Sequence, residues 1–265
     1  MRRSLDAAVP LALGNANVIM QLAWLPIGRG VAESPVESGR VDRHPVKRLR
    51  TTMSFLVVAV YGTDEERRGL RGEINRQHRH VRSKPGADVA YNAFDPELQL
   101  WVAACLWRGT EDALRWLYPG VPEAELDACY AWAERFGTTL QVREGRWPAD
   151  REAFEDYWRE GVSKIRMDDV TRRYLQDLTL LRGLPAPVRL VAARPLSTLT
   201  LGFLPEPFRA ELGLPWTPRD QARFERLTRT IAAINRVSPR VLRQLPMNAY
   251  LWDVRRRLRT GRPVV

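Results

Sequence analysis

Apolar residues recur along this chain at intervals of three and four, which is typical of amphipathic helices. The clearest case is one apolar stripe made of Val46, Leu49, Met53, Leu56, Val57 and Val60. Pro45 suits the first turn of this helix, and Gly62 suits its end. Few segments show the period of two that a half-buried strand requires. The sequence therefore predicts an all-α fold.

A second helix is predicted to follow almost at once, and its capping residues locate its start. Thr63 suits the N-cap, and Glu66 three residues later completes a capping box. The apolar stripe of this helix then runs through Leu70, Ile74, His78 and Val81. Because the connection is so short, the two helices are expected to be antiparallel neighbours.

The rest of the chain is predicted to be helical in the same way. Further helices are expected within residues 7–25, 95–106, 122–136, 150–163, 168–181 and 217–234. Loops are expected at residues 30–44 and 83–94 and at the proline-rich stretch around 183–188. No break in composition marks a domain boundary. We therefore expect a single domain over residues 1–265, with a basic C-terminal tail from about residue 253.

The composition adds a strong positive charge to this picture. The 265 residues are 45% hydrophobic and carry a formal net charge of +11, which favours acidic partners such as nucleic acid, anionic lipid or the acidic groups of a cofactor. No nucleic-acid-binding motif is found, so that partner is disfavoured. The arginine cluster at residues 255–262 is interpreted as a solvated helix end or a contact with a membrane surface.

The two cysteines and the lengths of the apolar runs indicate the cellular compartment in which the protein is expected to lie. Cys105 and Cys129 lie at apolar-stripe positions and are expected to be buried free thiols, which favours a reducing cytoplasm. The best apolar run, residues 53–61, is shorter than the stretch of about 18 residues that spans a bilayer. Residues 1–28 are interpreted as part of the mature fold. The prediction is a cytoplasmic protein, with a peripheral membrane contact left open.

His78 is the first candidate for chemistry, because an imidazole among aliphatic residues needs a partner for its ring nitrogens. One interpretation is that His78 is a haem ligand. Arg82, which lies one helical turn after His78, would then bind a propionate of the haem. The other is a core histidine bonded to a backbone carbonyl, and periodicity alone favours it. His80 is expected to face solvent on the same helix.

The preceding helix offers two further candidates at the edge of its apolar stripe. Arg48 and Thr52 lie one turn apart and are able to orient a bound dioxygen or a water. The alternative is an arginine at the rim and a threonine bonded back to its own helix.

Several other chemistries are excluded by spacing. The chain has no His-Glu-x-x-His, no Glu-x-x-His, no Gly-x-Ser-x-Gly and no phosphate-cradling glycine loop. What remains is a site with at most one or two histidine ligands, for which a single axial histidine on a haem is the best-known chemistry.

Two blocks of the sequence resemble a known family. Residues 17–23, with Gly30-Val31 and residues 44–52, resemble the opening of the MpaB-type oxygenases, which include the rubber oxygenases called latex-clearing proteins. Residues 75–81, continued by residues 86–102, resemble the histidine motif of that family, and residues 204–214 also fit. The resemblance covers roughly residues 12–250.

This resemblance implies a helical fold with a globin-like core that binds haem b. It assigns the axial ligand to His78 and the distal side to Arg48 and Thr52, and it implies cleavage of isoprenoid double bonds with dioxygen. The chain departs from many relatives at Ala103 and at residues 24–26, where they carry histidines. Thr51 is unable to ligate iron as a lysine would.

The leading hypothesis is therefore a haem b-dependent oxygenase that acts with dioxygen on an apolar, isoprenoid or lipid-like substrate. Arg82 or Arg79 would neutralise a propionate, and Glu33 or Glu37 would supply a base near the distal side. The alternative hypothesis is a non-catalytic helical protein that binds lipid or a membrane surface. Nucleic-acid binding is a third hypothesis.

Overall fold

Twelve α-helices make up most of the computed structural model, which describes residue 6, residues 8–34 and residues 45–264. They are α1 (Ala8–Leu22), α2 (Leu25–Ala32), α3 (Pro45–Tyr61), α4 (Asp64–His78), α5 (Pro96–Leu117), α6 (Glu123–Thr138), α7 (Arg151–Ser163), α8 (Asp169–Thr179), α9 (Ala186–Phe203), α10 (Glu206–Leu212), α11 (Pro218–Val237) and α12 (Arg240–Arg259). Extended pairing within the described residues is limited to one isolated bridge between Arg82 and Asn92. The all-α prediction is confirmed.

Two packed layers form a single domain. In the larger layer α1 lies against α5 and α9, and α5 also packs on α6 and α11. Most buried apolar residues belong to the core of this layer. In the smaller layer α3 packs on α4 and α12 around Met53, Val57, Leu70, Met247 and Val254.

The predicted helix starts of α3 and α4 are confirmed. α3 begins at Pro45 and ends before Gly62. The N–H of Glu66 donates to Thr63 Oγ1 at 3.2 Å, and the N–H of Thr63 donates to Glu66 Oε2 at 2.9 Å, which completes the predicted capping box. The N-cap of α4 therefore follows from local sequence.

The predicted end of α4 is wrong, because the helix stops at His78 instead of continuing past Val81. Residues 81–83 pair with residues 91–93 instead. The N–H of Ser83 donates to the carbonyl of Tyr91, and the N–H of Ala93 donates to the carbonyl of Val81, both at 2.9 Å. Pairing with a distant segment has thus replaced the next helical turn.

Four helices lie where none was predicted. α9 begins inside the expected proline-rich loop and has Pro195 in its interior. In both α2 and α9 a proline occupies the first turn, where its missing N–H costs nothing. α10 and α12 were also missed. The basic segment from about residue 253, expected as a tail, is mostly the end of α12, and Val254 within it is fully buried.

Three stacked indoles connect the helices of the larger layer. The rings of Trp24 and Trp101 are 4.6 Å apart and nearly parallel, and those of Trp101 and Trp158 are 5.0 Å apart. Trp24 Nε1 donates to the carbonyl of Gly161 at 2.9 Å. The stack joins the turn between α1 and α2 to α5 and α7.

The cysteine prediction is confirmed, since Cys105 and Cys129 are both buried and neither takes part in a disulfide within the described residues. Across the described ranges, no helix combines the length and the apolar character needed to cross a bilayer.

Gly161→Ala tests the close packing of this stack. A Cβ at Gly161 would lie 2.2 Å from Cζ3 of Trp101, so the ring or the helix must shift. We expect the substitution to lower the free energy of unfolding by about 1–3 kcal/mol in urea titration. Gly72→Ala is the matched control, because a Cβ there meets no atom within 4 Å. It should stabilise the protein by up to about 1 kcal/mol. Equal effects of the two substitutions would contradict the packing shown here.

Candidate functional site

A cavity of about 280 Å³ lies between α1, α2, α3, α4 and α5. This volume is close to the lower end of the range of small-molecule pockets, roughly 300–1,000 Å³. Its apolar lining is supplied by Leu22, Pro26, Ile27, Val31, Phe55, Ile74, Val81, Leu98, Val102, Leu106 and Leu140. The polar groups on its wall include Gln21, Lys47, Arg48, Thr51, Thr52, Gln77, His78, Tyr91 and Gln99. The sequence-predicted residues His78, Arg48 and Thr52 are therefore brought together at one cavity.

His78 reaches the cavity from the last turn of α4, one turn after the buried Ile74. Its Nδ1 is buried and has no hydrogen-bond partner among the described residues. Burial, followed by the positive charge of Arg48, lowers the pKa of His78 from its usual value to about 4. The imidazole is therefore neutral at physiological pH and has a nitrogen lone pair for a ligand or a metal.

Arg48 approaches the same cavity from the first half of α3. Burial lowers the pKa of its guanidinium, and the nearby Tyr174 opposes this shift. Within the described ranges no carboxylate forms an ion pair with Arg48. A desolvated guanidinium with no acidic partner in those ranges has donors to offer to an electron-rich ligand.

Two neighbouring threonines on α3 behave differently. The hydroxyl of Thr51 donates back to the carbonyl of Lys47 at 3.0 Å, which is the local bond considered as the alternative for Thr52. Thr52 lies one turn after Arg48 and also lines the cavity. The expected edge of arginine and threonine is therefore present on the cavity wall.

Sequence analysis missed several polar residues of the cavity, among them Gln21, Tyr91 and Gln99. Gln99 is buried, donates to the carbonyl of Ala93 and accepts from the N–H of Gln141, both at 2.7 Å. Gln21 donates to the side chain of Asn17 at 2.6 Å. Tyr91 packs its ring against Gly30, where a Cβ would be 3.2 Å away. The signal for Gln99 that the sequence offered was a polar amide side chain inside the otherwise apolar run at residues 98–102.

Other predicted residues lie away from the cavity. Arg79 and Arg82 are exposed and are not among the residues that line it, and His80 is exposed on the turn after α4. The expected position of Arg82, one helical turn beyond His78, is wrong because α4 has already ended. Whether Arg79 or Arg82 contacts a cofactor stays a prediction.

The structure shows the positions of Glu33, one of the two predicted bases, and of Ala103, one of the departures from the family pattern. Glu33 is at the C-cap of α2, where it accepts from Arg29 at 2.6 Å and from the hydroxyl of Tyr91 at 3.3 Å. Glu37 and His44 lie outside the described residues. Ala103 is fully buried in α5 and does not line the cavity.

Comparison with known proteins identifies the family. Residues 1–233 match the family described as "ER-bound oxygenase mpaB/B'/Rubber oxygenase, catalytic domain". The chain belongs to this oxygenase family. The chain is also 46% identical to an uncharacterized protein of Mycobacterium tuberculosis and to one of Mycobacterium bovis. Each alignment spans 255 residues, 96% of this chain and 100% of the relative. No solved structure matches.

The protonation of His78 makes the stability of this oxygenase-family chain depend on pH. The folded pKa of about 4 is below the model-peptide value of 6.5, so between these values the unfolded chain binds a proton that the folded chain does not. Stability from this group is present above about pH 6.5 and is lost as the pH falls towards 4. When the pH is lowered from 7 to 4.5, the free energy of unfolding in urea should therefore fall less for His78→Gln than for the parent protein. Equal losses would show that His78 is not desolvated in solution.

Proposed function

We propose that this protein is a haem b-dependent oxygenase that acts with dioxygen on an apolar, isoprenoid or lipid-like substrate. The observation that carries the proposal is the neutral imidazole of His78, whose buried Nδ1 has no partner among the described residues. Membership of the oxygenase family supports the same reaction class. The globin-like character of the core is part of the proposal.

The donor set around the cavity fits a haem. A histidine that would hold haem iron has to be neutral, because it binds through a nitrogen lone pair, and the lowered pKa of His78 keeps this side chain neutral. Elsewhere in the described residues, no group of three or more histidine, cysteine, aspartate or glutamate side chains is arranged to hold a metal ion. A porphyrin supplies four of the iron ligands itself, so one histidine suffices.

Each of the predicted site residues would then have a separate role in the proposed reaction. Haem b, when bound, would supply the iron at which dioxygen is activated for cleavage of a carbon–carbon double bond. His78 would hold the cofactor through one ring nitrogen. Arg48 would donate to oxygen as negative charge develops on it, and the Thr52 hydroxyl would orient the same oxygen. Arg79 and Arg82 are the proposed partners of the propionates.

Substrate binding is proposed to depend on the apolar wall. Phe55, Val102 and Leu106 line the cavity and would exclude water from an alkene. The buried thiols of Cys105 and Cys129, which are not joined in a disulfide, support the proposed reducing, cytoplasmic setting.

Haem binding is tested by the absorption spectrum of protein produced with ample haem. We expect a Soret band, and we expect His78→Ala to abolish it because the axial ligand is lost. His80→Ala is the matched control, since this exposed histidine lies just beyond the end of α4. Protein that carries no haem after incubation with haem and removal of the excess, or a His78→Ala variant that keeps the band, would overturn the proposal.

The distal role is tested by Arg48→Ala and Thr52→Val in haem-loaded protein. Both variants should keep the Soret band, because neither residue is the axial ligand. Oxygen consumption with squalene as the probe alkene should fall by roughly 10²–10³ for Arg48→Ala, as for loss of a preorganised donor. Thr51→Val is the control, because the Thr51 hydroxyl is engaged with its own helix. Unchanged turnover in Arg48→Ala would remove Arg48 from the reaction.

A further inference from the structure

The end of α11 and the part of α12 up to Trp252 expose a series of large apolar side chains. Val237 is 80% exposed, Val241 75%, Leu245 55% and Trp252 58%. Ile234 and Leu242 are also exposed. Only Ser238 and Pro239 separate the two helices, so the exposed residues from Ile234 to Leu245 lie near one corner of the molecule. Trp252 lies about two turns further along α12. We call this set the α12 outer face.

Helical geometry separates this face from the core. At 100° per residue, Val241, Leu245 and Trp252 fall within an arc of about 40°. Met247 and Val254, which are buried in the smaller layer, point roughly 200° away. α12 therefore has one apolar face for the protein and a second one for something outside it.

The charge around the α12 outer face is of one sign. Residues 226–252 contain five arginines and no aspartate or glutamate. Arg243 pairs with Asp6 at 2.9 Å, whereas Arg226, Arg229, Arg236 and Arg240 are exposed. An exposed apolar face with a cationic rim and a tryptophan matches the interfacial zone of an anionic bilayer.

The terminal arginine cluster is less suited to this role than its sequence suggests. Arg255 pairs with Glu66 and Arg257 pairs with Asp253, both at 2.7 Å. Two of its charges are thus partly neutralised within the protein. Arg226, Arg229, Arg236 and Arg240 form no ion pair among the described residues, so the α11–α12 corner keeps its positive charge.

We propose that the α12 outer face docks on the surface of a bilayer that contains anionic lipid. Val241, Leu245 and Trp252 would enter the acyl boundary, and Arg236 and Arg240 would contact lipid phosphates. A second copy of this chain is a poorer occupant, because in a two-fold interface the arginine-rich rims would face each other. The proposal is independent of haem binding and of the oxygenase reaction.

Vesicle sedimentation of the full chain provides the test. We expect binding to vesicles of phosphatidylcholine with phosphatidylserine, weaker binding to phosphatidylcholine alone, and loss of binding as salt is raised. Sedimentation velocity without lipid should show a monomer. No binding to either vesicle, or a dimer that substitutions in the α12 outer face dissociate, would overturn the proposal.

Substitutions locate the contact. Leu245→Ser combined with Trp252→Ser should weaken binding at least about tenfold, because two exposed apolar side chains no longer insert. Val170→Ser combined with Leu190→Ser is the matched control, since these exposed residues lie on α8 and α9. Full binding by the first variant, or equal loss in the control, would place the contact elsewhere.

Arg236→Glu keeps the test valid if the double variant does not fold, which circular dichroism would show. Arg236 is exposed near the end of α11, so its replacement should leave the fold intact. Affinity for anionic vesicles should fall by about fivefold or more, and binding to neutral vesicles should not change. Undiminished affinity for anionic vesicles would contradict the proposed cationic rim.

Discussion

The stacking of Trp24, Trp101 and Trp158 is the contact on which the position of the cavity depends. It fixes the turn between α1 and α2 against α5 and α7, and the hydrogen bond from Trp24 to Gly161 sets its orientation. Because α1, α2 and α5 supply walls of the cavity, movement in this stack would change the cavity's width. Offset aromatic pairs add about 0.5–1.5 kcal/mol beyond their buried area, so the stack is also a source of stability.

Within that frame, desolvation decides the chemistry of His78 and Arg48. Burial disfavours the charged form of both side chains, and the arginine adds a repulsive charge to the imidazole. With its pKa lowered to about 4, His78 has already lost its proton at neutral pH, whereas a guanidinium keeps its charge. One cavity thus holds a neutral nitrogen ligand and a fixed cation, which is a combination suited to a metal cofactor and an oxygen that gains negative charge.

On the outer surface, in contrast to the cavity, the notable feature is a set of apolar side chains exposed to solvent on α12. α12 closes the smaller layer with Met247 and Val254, while its opposite side leaves apolar residues in solvent. Large exposed apolar patches on a folded domain usually mark an interaction site. If the proposed oxygenase acts on an apolar substrate, a membrane contact would give it access to the phase where such substrates reside.

The sequence by itself determined the helical class, the start of α4 at its Thr63–Glu66 capping box and the candidate set His78, Arg48 and Thr52. These follow from local hydrogen bonds and from the 3.6-residue period, which act over a few neighbouring positions. The family resemblance was needed to favour a ligand role for His78, because periodicity cannot distinguish a core histidine from an axial one.

Only the tertiary structure decided where α4 ends, since the partners of residues 81–83 lie at residues 91–93. It also revealed α9, which was not predicted because its prolines indicated a loop. Packing of α9 on α1 and α11 supports this helix. Gln99 and Tyr91 joined the cavity for the same reason, through contacts with segments distant in sequence. Local pattern sets which helices are able to form, and packing between distant segments sets where they stop and what they enclose.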